Sequence, residues 1–261
     1  MATVSDIARF LDAFAPPALA ESWDNVGLLV GDSSRAVTKV MTCLTVTAES
    51  AREAIAGKAE LIVTHHPLPF RPLARVTTDT PEGRLLWELI GAGVSIYSPH
   101  TAFDSAEQGI NQRLAVGLHL SAIAPLGPGT TPGSGSGRHG RLPAAVTLGE
   151  LAVRVKRLLA IDHAQAVGEL DQPVHAVAVA CGSAGEFLGP AAEAGCDVLV
   201  TGEVRFHTAL EAEACGVGLI LAGHFASERF AVEQLAGVLA AEFSALKVWA
   251  STAEKDPIQW L

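Results

Sequence analysis

KVMTCLTV (39–46) and LIVTHH (61–66) are two short apolar runs separated by a helix-like stretch at 48–57. Both runs are rich in the β-branched and aliphatic residues that strands favour. A third run, VSIYSP (94–99), follows another helix-like stretch at 81–91. Strands that alternate with helices are typical of α/β proteins. This part of the chain therefore predicts an α/β fold.

The alternation extends to both ends of the chain. Thr3 with Asp6 predicts a capping arrangement for an opening helix, and Thr147 with Glu150 predicts the same for a later one. Three further strands are predicted, at PVHAVAVA (173–180), CDVLVTG (196–202) and VGLILAG (217–223). The two halves are loosely alike, since an apolar strand ends in a polar cluster in each. Two similar lobes facing a shared cleft would explain this likeness. The alternative is that strands of all α/β units commonly end in polar residues.

A segment rich in glycine, proline, serine and threonine divides the two halves. LGPGTTPGSGSGRHG (126–140) has Leu126 as its one large apolar residue, so it predicts a flexible loop rather than core. We set this loop at 126–145, between a first lobe at 1–125 and a second lobe at 146–261. An interleaving of both lobes within one domain is the alternative.

Composition limits the classes of partner. The 261 residues carry a formal charge of −10, from 18 basic and 28 acidic side chains, which disfavours nucleic acid. A small anionic ligand stays compatible if a local metal centre attracts it. The four cysteines are widely spaced, and neither a signal peptide nor an apolar run of the ~20 residues that span a membrane is evident. We expect a cytoplasmic protein with no membrane contact.

Three polar clusters follow predicted strands, where open α/β sheets commonly bind ligands. THHP (64–67) brings His65 and His66, HTAFD (100–104) ends in Asp104, and GHFASE (223–228) brings His224 and Glu228, four apart on one helical face. Each cluster also has a simpler interpretation: two solvated histidines, a carboxylate that complements a helix amino terminus, and an exposed polar pair.

Together, the clusters offer nitrogen and oxygen ligands that suit zinc, iron, manganese or cobalt. The sequence therefore predicts a centre with two divalent metal ions, in which Asp104 and Glu228 offset only part of the charge and a shared water becomes a nucleophile. His100 and His207 are candidate catalytic residues, through proton transfer or by orienting a ligand rather than by direct ligation.

ESWDNVGLLVGD, LIVTHHPLPF, SPHTAFDSAEQGIN, DVLVTGEVRFH and GHFASE together resemble the Nif-three-like family, whose bacterial members are often called GTP cyclohydrolase 1 type 2 homologues. The likeness extends from residue 21 to KDPI at 255–258, with a poor match in the glycine-rich middle. The length resembles the short family form without an inserted domain. Relatives often have two adjacent histidines after the TGE turn, where this chain has Phe206 and His207.

The resemblance implies a Nif-three-like fold and a dinuclear centre with five ligands: His65, His66, Asp104, His224 and Glu228. It also implies a ring-shaped homohexamer and a metal-dependent hydrolase, in which metal-bound hydroxide attacks a nucleotide-like small molecule. Such a substrate would need a phosphate anchor, for which Arg138, Arg141 or Arg205 are candidates. The alternative is a non-catalytic metal-binding assembly, a metal store or an interaction protein.

Overall fold

The computed structural model describes residues 1–129 and 133–259, which form two compact units. Unit 1 contains Met1–Phe103 and Ala231–Pro257, and unit 2 contains Asp104–Phe230 together with Ile258 and Gln259. Within the described ranges, no helix has both the length and the apolar character to span a membrane. The α/β fold class predicted from the sequence is confirmed, since each unit has its own sheet.

Unit 1 combines a five-stranded sheet with helices. Its strands are β1 (Gly27–Val30), β2 (Lys39–Cys43), β3 (Leu61–Thr64), β4 (Ser95–Ser98) and β11 (Lys247–Ala250). Its helices are α1 (Val4–Phe14), α2 (Ala48–Gly57), α3 (Pro81–Gly91), the first part of α4 (His100–Ser105) and the second part of α9 (His224–Glu242). The sheet order is β1-β4-β3-β2-β11, with β1 antiparallel to β4 and all other neighbours parallel.

Local signals account for these elements. Thr3 and Asp6 form a complete capping box at α1, as the sequence predicts. The core includes Met41, Ile62 and Ile96 from three adjacent strands, all with no exposed surface. Burying each such side chain contributes roughly 1.5–3 kcal/mol. Because β3 and β4 are parallel, their carboxyl ends lie at one edge of the sheet. His65 and His66 directly follow β3, and HTAFD (100–104) begins two residues after β4.

Unit 2 is built on a six-stranded sheet. Its strands are β5 (Ser121–Ala124), β6 (Arg138–Thr147), β7 (Gln165–Val167), β8 (Pro173–Ser183), β9 (Val198–Glu203) and β10 (Gly218–Leu221). Its helices are α5 (Ile110–Gly117), α6 (Leu148–Leu159), α7 (Leu188–Glu193), α8 (Phe206–Cys215), the end of α4 and the start of α9. The order is β5-β6-β8-β9-β10-β7, and β8, β9 and β10 are mutually parallel.

Alternate residues of the central strands of unit 2 enter two different core clusters. Val177 and Val198 belong to one cluster, and Ala178 and Leu199 belong to the other. This period of two is expected for strands that are covered on both faces. Because both faces of these strands are buried, neither face carries polar residues. The strands therefore occur in the sequence as continuous apolar runs.

The predicted loop at 126–145 is wrong in its second part, because β6 begins at Arg138. The guanidinium of Arg138 is 1% exposed and donates to the carbonyl oxygens of Gly137 (2.6 Å) and Ala106 (2.8 Å), and to Oε1 of Gln112 (2.9 Å). This buried cation compensates for the missing apolar side chains, which the composition of the segment did not predict. Residues 130–132 of the predicted loop lie outside the described residues.

The compact units also differ from the lobes predicted at 1–125 and 146–261. β5 belongs to unit 2 because it pairs with β6, and β11 returns to unit 1 because it pairs with β2. The chain passes from one unit to the other within α4 and α9 rather than in a loop.

Candidate metal centre

His65 and His66 continue directly from β3 at the carboxyl edge of the sheet of unit 1. Their backbone N–H groups donate to the carbonyl oxygens of Cys43 (3.0 Å) and Leu44 (2.8 Å), which extends the pairing with β2. His65 is only 2% exposed, and the two ring centroids are 5.1 Å apart. The interpretation of this motif as two solvated histidines is therefore wrong for His65.

His100 joins these two histidines. It is the first residue of α4 and has a φ of 26°, a left-handed backbone conformation that is uncommon for a residue other than glycine. Its ring centroid lies 5.1 Å from that of His65 and 5.6 Å from that of His66. One ring nitrogen from each of the three lies within 4.8 Å of the others, a spacing that could hold a metal ion. His100 thus lies as close to His65 as His66 does, although only His65 and His66 were predicted as ligands.

Asp24 holds His100 in place, a role that no sequence motif predicted. Its side chain is fully buried, and its Oδ1 lies 2.7 Å from Nδ1 of His100. It also accepts hydrogen bonds from the backbone N–H of Thr101 (3.1 Å) and of Asn25 (2.7 Å). Burial raises the pKa of Asp24, but hydrogen bonds from His100 and Thr101 outweigh it and leave the pKa at about 2. Asp24 is therefore ionised at neutral pH. It lies in ESWDNVGLLVGD, one of the stretches that carry the family resemblance, but the sequence alone assigned it no role.

The ring of His66 is also held by a hydrogen bond, in this case with a threonine that follows β2. Its Nδ1 lies 2.7 Å from the hydroxyl of Thr45. The backbone N–H groups of Leu44 and Thr45 donate to the two carboxylate oxygens of Glu254, at 2.8 and 2.6 Å. Glu254 thus fixes the turn that carries Thr45, and Thr45 in turn restricts the His66 ring.

His224 and Glu228 converge at the start of α9 in unit 2. Nε2 of His224 lies 3.2 Å from Oε2 of Glu228, and its Nδ1 lies 3.0 Å from Oε1 of Glu203. The Glu228 side chain is 5% exposed, so the interpretation of this motif as an exposed polar pair is wrong. The hydrogen bond that the His224 ring donates to Glu228, aided by Glu203, raises the pKa of His224 to about 9 although burial lowers it.

Two glycines make room for this pair, and the sequence gives no separate signal for them. Gly182 has a φ of +69°, and a Cβ atom at this position would collide with Oε1 of Glu228. A Cβ atom on Gly202 would meet the Ser227 hydroxyl and the backbone of His224. The Gly182 N–H also donates to that hydroxyl at 2.9 Å. Glycines at the ends of β8 and β9 therefore allow α9 to begin directly against the sheet.

Asp104 contacts a cysteine and an asparagine of unit 2. The Cys181 thiol donates to Oδ1 of Asp104 at 3.2 Å, and Nδ2 of Asn111 donates to its backbone carbonyl at 3.1 Å. Burial, followed by the charge of Asp104, raises the pKa of Cys181 well above its usual value. Asp104 lies near the carboxyl end of α4 rather than at its start. The interpretation of Asp104 as a carboxylate that complements a helix amino terminus is therefore wrong.

The remaining candidates lie in different settings. His207 is exposed in the first turn of α8, where its ring centroid is 5.9 Å from that of Phe206. Arg141 and Arg205 are exposed, whereas the donors of Arg138 are used by backbone carbonyls and Gln112. Arg138 is therefore a structural cation and not a phosphate anchor.

Comparisons with known proteins agree with this fold and its motifs. The model of the Duf34/NIF3 (NGG1p interacting factor 3) family matches residues 2–257. A GTP cyclohydrolase 1 type 2 homolog from Clostridium acetobutylicum is 34% identical over 227 residues, which cover 86% of this chain and 85% of that protein. NIF3-like protein 1 from Drosophila melanogaster is 31% identical over 97% of this chain and 87% of its own length. The crystal structure of the Staphylococcus aureus protein SA1388 has a TM-score of 0.91 and 29% identity, with 99% of each chain covered.

Proposed function

The chain belongs to the Duf34/NIF3 family, and from this membership we propose that it is a cytoplasmic metal-dependent hydrolase that acts on a nucleotide-like substrate. The proposed ligands of two divalent ions are His65, His66, Asp104, His224 and Glu228. The names of the bacterial relatives support GTP as the first substrate to test.

One observation carries the metal proposal: the ligand nitrogens of His65, His66 and His100 all lie within 4.8 Å of one another. Three imidazoles packed this closely would repel one another when protonated, and a shared cation removes that cost. Unit 2 offers a matching donor pair in His224 and Glu228, 3.2 Å apart. Imidazole and carboxylate donors of this kind fit zinc, iron, manganese or cobalt.

When bound, the ions would supply a nucleophilic water at neutral pH and polarise a substrate oxygen. The residues of the chain supply the orientation. Asp24, ionised and buried, accepts the Nδ1 proton of His100 and thereby leaves Nε2 as the nitrogen that can take up a proton. Thr45 restricts His66 in the same way through its Nδ1.

A metal titration tests the first part of the proposal. Metal-free protein should bind two equivalents of zinc per chain, and Glu228→Gln should reduce the stoichiometry or the affinity. Glu233→Gln, nine residues beyond the start of the same helix, is the matched control. Native protein that binds no divalent ion under these conditions would contradict the proposal.

Release of formate from GTP tests the second part. We expect metal-dependent release by the native protein and its loss in Glu228→Ala, compared at matched metal occupancy. Tight metal binding without turnover of GTP or of a panel of phosphoesters would favour the alternative, a metal-binding assembly, store or interaction protein.

We also propose that the chain forms a homohexamer, which is what the family resemblance implies. Sedimentation velocity or light scattering at micromolar concentration measures this directly. A clean monomer would count against the ring.

A further inference from the structure

Two exposed aromatic side chains lie beside His100 in unit 1. Trp23 is 60% exposed and Phe70 is 38% exposed, and their ring centroids are 6.0 Å apart in an edge-to-face arrangement. Aromatic side chains contribute large apolar area, and leaving two neighbouring rings uncovered forgoes the gain from their burial. Such a pair is favourable when a ligand covers it.

Hydrogen bonds join the two segments that carry these rings to each other and to His100. Trp23 directly precedes Asp24, whose carboxylate accepts hydrogen bonds from His100, Thr101 and Asn25. Nδ2 of Asn25 donates to the carbonyl oxygen of Pro69 at 2.7 Å, one residue before Phe70. The segments that carry the two rings are thus joined to each other, so little backbone entropy would be lost when a ligand binds the rings.

The pair also contacts the proposed reaction site. The centroid of His100 lies 6.1 Å from that of Trp23 and 6.2 Å from that of Phe70, with interplanar angles of 77° and 87°. A planar ring that packs against both aromatic side chains would therefore lie next to the imidazole of His100. The sequence neighbours of the pair differ in charge, since Glu21 lies two residues before Trp23 and Arg71 directly follows Phe70.

We propose that Trp23 and Phe70 form a subsite for the planar heteroaromatic ring of the substrate, of the purine class, and hold that ring against the histidine cluster. This inference rests on the proposed function, since it assigns the ring end of a nucleotide-like substrate to these residues. Stacking on aromatic side chains accepts any base, because every base has a π-face. The subsite therefore recognises a ring and leaves discrimination among rings to other contacts.

Equilibrium dialysis of zinc-loaded protein tests the subsite without turnover. Guanosine supplies the ring without phosphate, and ribose 5-phosphate supplies phosphate without the ring. We expect Trp23→Ala and Phe70→Ala each to weaken guanosine binding by about tenfold and to leave ribose 5-phosphate binding unchanged. Trp23→Phe should bind guanosine nearly as native protein does. Trp87→Ala is the matched control, since Trp87 is 62% exposed in α3 of the same unit.

Several outcomes would overturn the subsite. It fails if native protein binds no guanosine, or if Trp23→Ala binds it as well as Trp87→Ala does. Should Trp23→Ala not fold, Trp23→Leu keeps apolar bulk without a π-face and gives the same comparison. A changed oligomeric state in Trp23→Ala with unchanged guanosine affinity would identify the pair as a subunit contact.

Formate release separates this inference from the proposed function. Native protein that binds guanosine through Trp23 but releases no formate would contradict the hydrolase and leave the ring subsite standing. Turnover of GTP with the same KM in native protein and in Trp23→Ala would support the hydrolase and overturn the subsite.

Discussion

Nδ1 of His100 and Oδ1 of Asp24 are 2.7 Å apart, and the Asp24 side chain has no exposed surface. A buried carboxylate that accepts a ring N–H fixes both the orientation and the tautomer of a histidine. The arrangement selects Nε2 of His100 as the reactive nitrogen. It also makes Asp24 a positioning residue, since it acts through His100.

Asp24→Asn should weaken zinc binding by roughly 10- to 100-fold, because an amide cannot hold the His100 ring as a carboxylate does and a displaced His100 would disturb the proposed ligands His65 and His66, against which it packs. Competition with a chromogenic chelator measures the affinity. Asp32→Asn, an exposed aspartate of the same unit, should have no effect. An unchanged affinity in well-folded Asp24→Asn would show that Asp24 does not hold the histidine cluster in its metal-binding arrangement.

Gly182→Ala should displace Glu228 and lower the affinity for zinc. Gly195 provides a matched control, because it has the same φ of +69° but no atom within 4 Å of the position that a Cβ atom would occupy. Gly195→Ala therefore carries the backbone strain alone, while Gly182→Ala adds the collision with Glu228. Equal zinc affinities in the two variants would exclude the steric explanation.

Arg138→Met should destabilise the protein by roughly 3 kcal/mol or more, since it leaves several buried carbonyl oxygens without a donor. Arg138→Lys should recover only part of this loss, because an ammonium has fewer donors than a guanidinium. Urea denaturation measures the free energy of unfolding. Arg141→Met, at an exposed position in the same strand, should change it by less than about 0.5 kcal/mol.

Glu53 should make stability depend on pH. Its carboxylate accepts hydrogen bonds from the Ser251 hydroxyl (2.6 Å) and from the backbone of Thr252 and Ala253, each near 3.0 Å. Burial raises the pKa of Glu53, but these bonds outweigh it and hold the pKa below the ordinary value of 4.5. The stabilisation is thus complete above pH 4.5 and is lost as the pH falls through the lowered pKa.

We expect Glu53→Gln to reduce the free energy of unfolding by about 1 kcal/mol at pH 7. The difference from native protein should shrink as the pH is lowered below 4. Denaturation curves at several pH values, with Glu88→Gln as an exposed control in α3 of the same unit, would reveal this trend. A difference that stays constant with pH would contradict the role given to the Glu53 carboxylate.

Thiol reactivity should distinguish the cysteines. Cys215 is exposed, whereas Cys43, Cys181 and Cys196 are buried. Burial raises the pKa of Cys196 to about 11 and also raises the pKa of Cys181 well above its usual value, which keeps both thiols protonated and unreactive. Native protein should therefore react rapidly with about one equivalent of a disulfide reagent, and denatured protein with all four. Rapid reaction of Cys181 in native protein would show that its contact with Asp104 is transient.

Six of the strands, β2, β3, β4, β8, β9 and β10, could be predicted because their signals are local, whereas β1, β5, β6, β7 and β11 were not predicted. The apolar runs at 39–46, 61–66 and 94–99 became β2, β3 and β4 with small changes in their ends. The capping pairs Thr3 with Asp6 and Thr147 with Glu150 were confirmed for the same reason.

Features that depend on distant residues could not be predicted in this way. Asp24 and His100 are 76 residues apart, so no periodicity joins them. The strand at Arg138 is stabilised by a buried cation rather than by apolar side chains, so its composition resembles that of a loop. The role of Gly182 depends on a helix that begins more than 40 residues later.

The parallel pairing of β11 with β2 has a consequence for biosynthesis. Residues 247–250 leave the ribosome some 200 residues after the strand that they join, whereas Asp104–Phe230 form one uninterrupted stretch. At ~5–20 residues per second, the first sheet waits at least ten seconds or so for its last strand. Met41 and Trp249, partners in that pairing, therefore meet only after the whole of Asp104–Phe230 has been synthesised. The inserted unit can therefore complete its own sheet before the first unit receives its last strand, although it begins to emerge later.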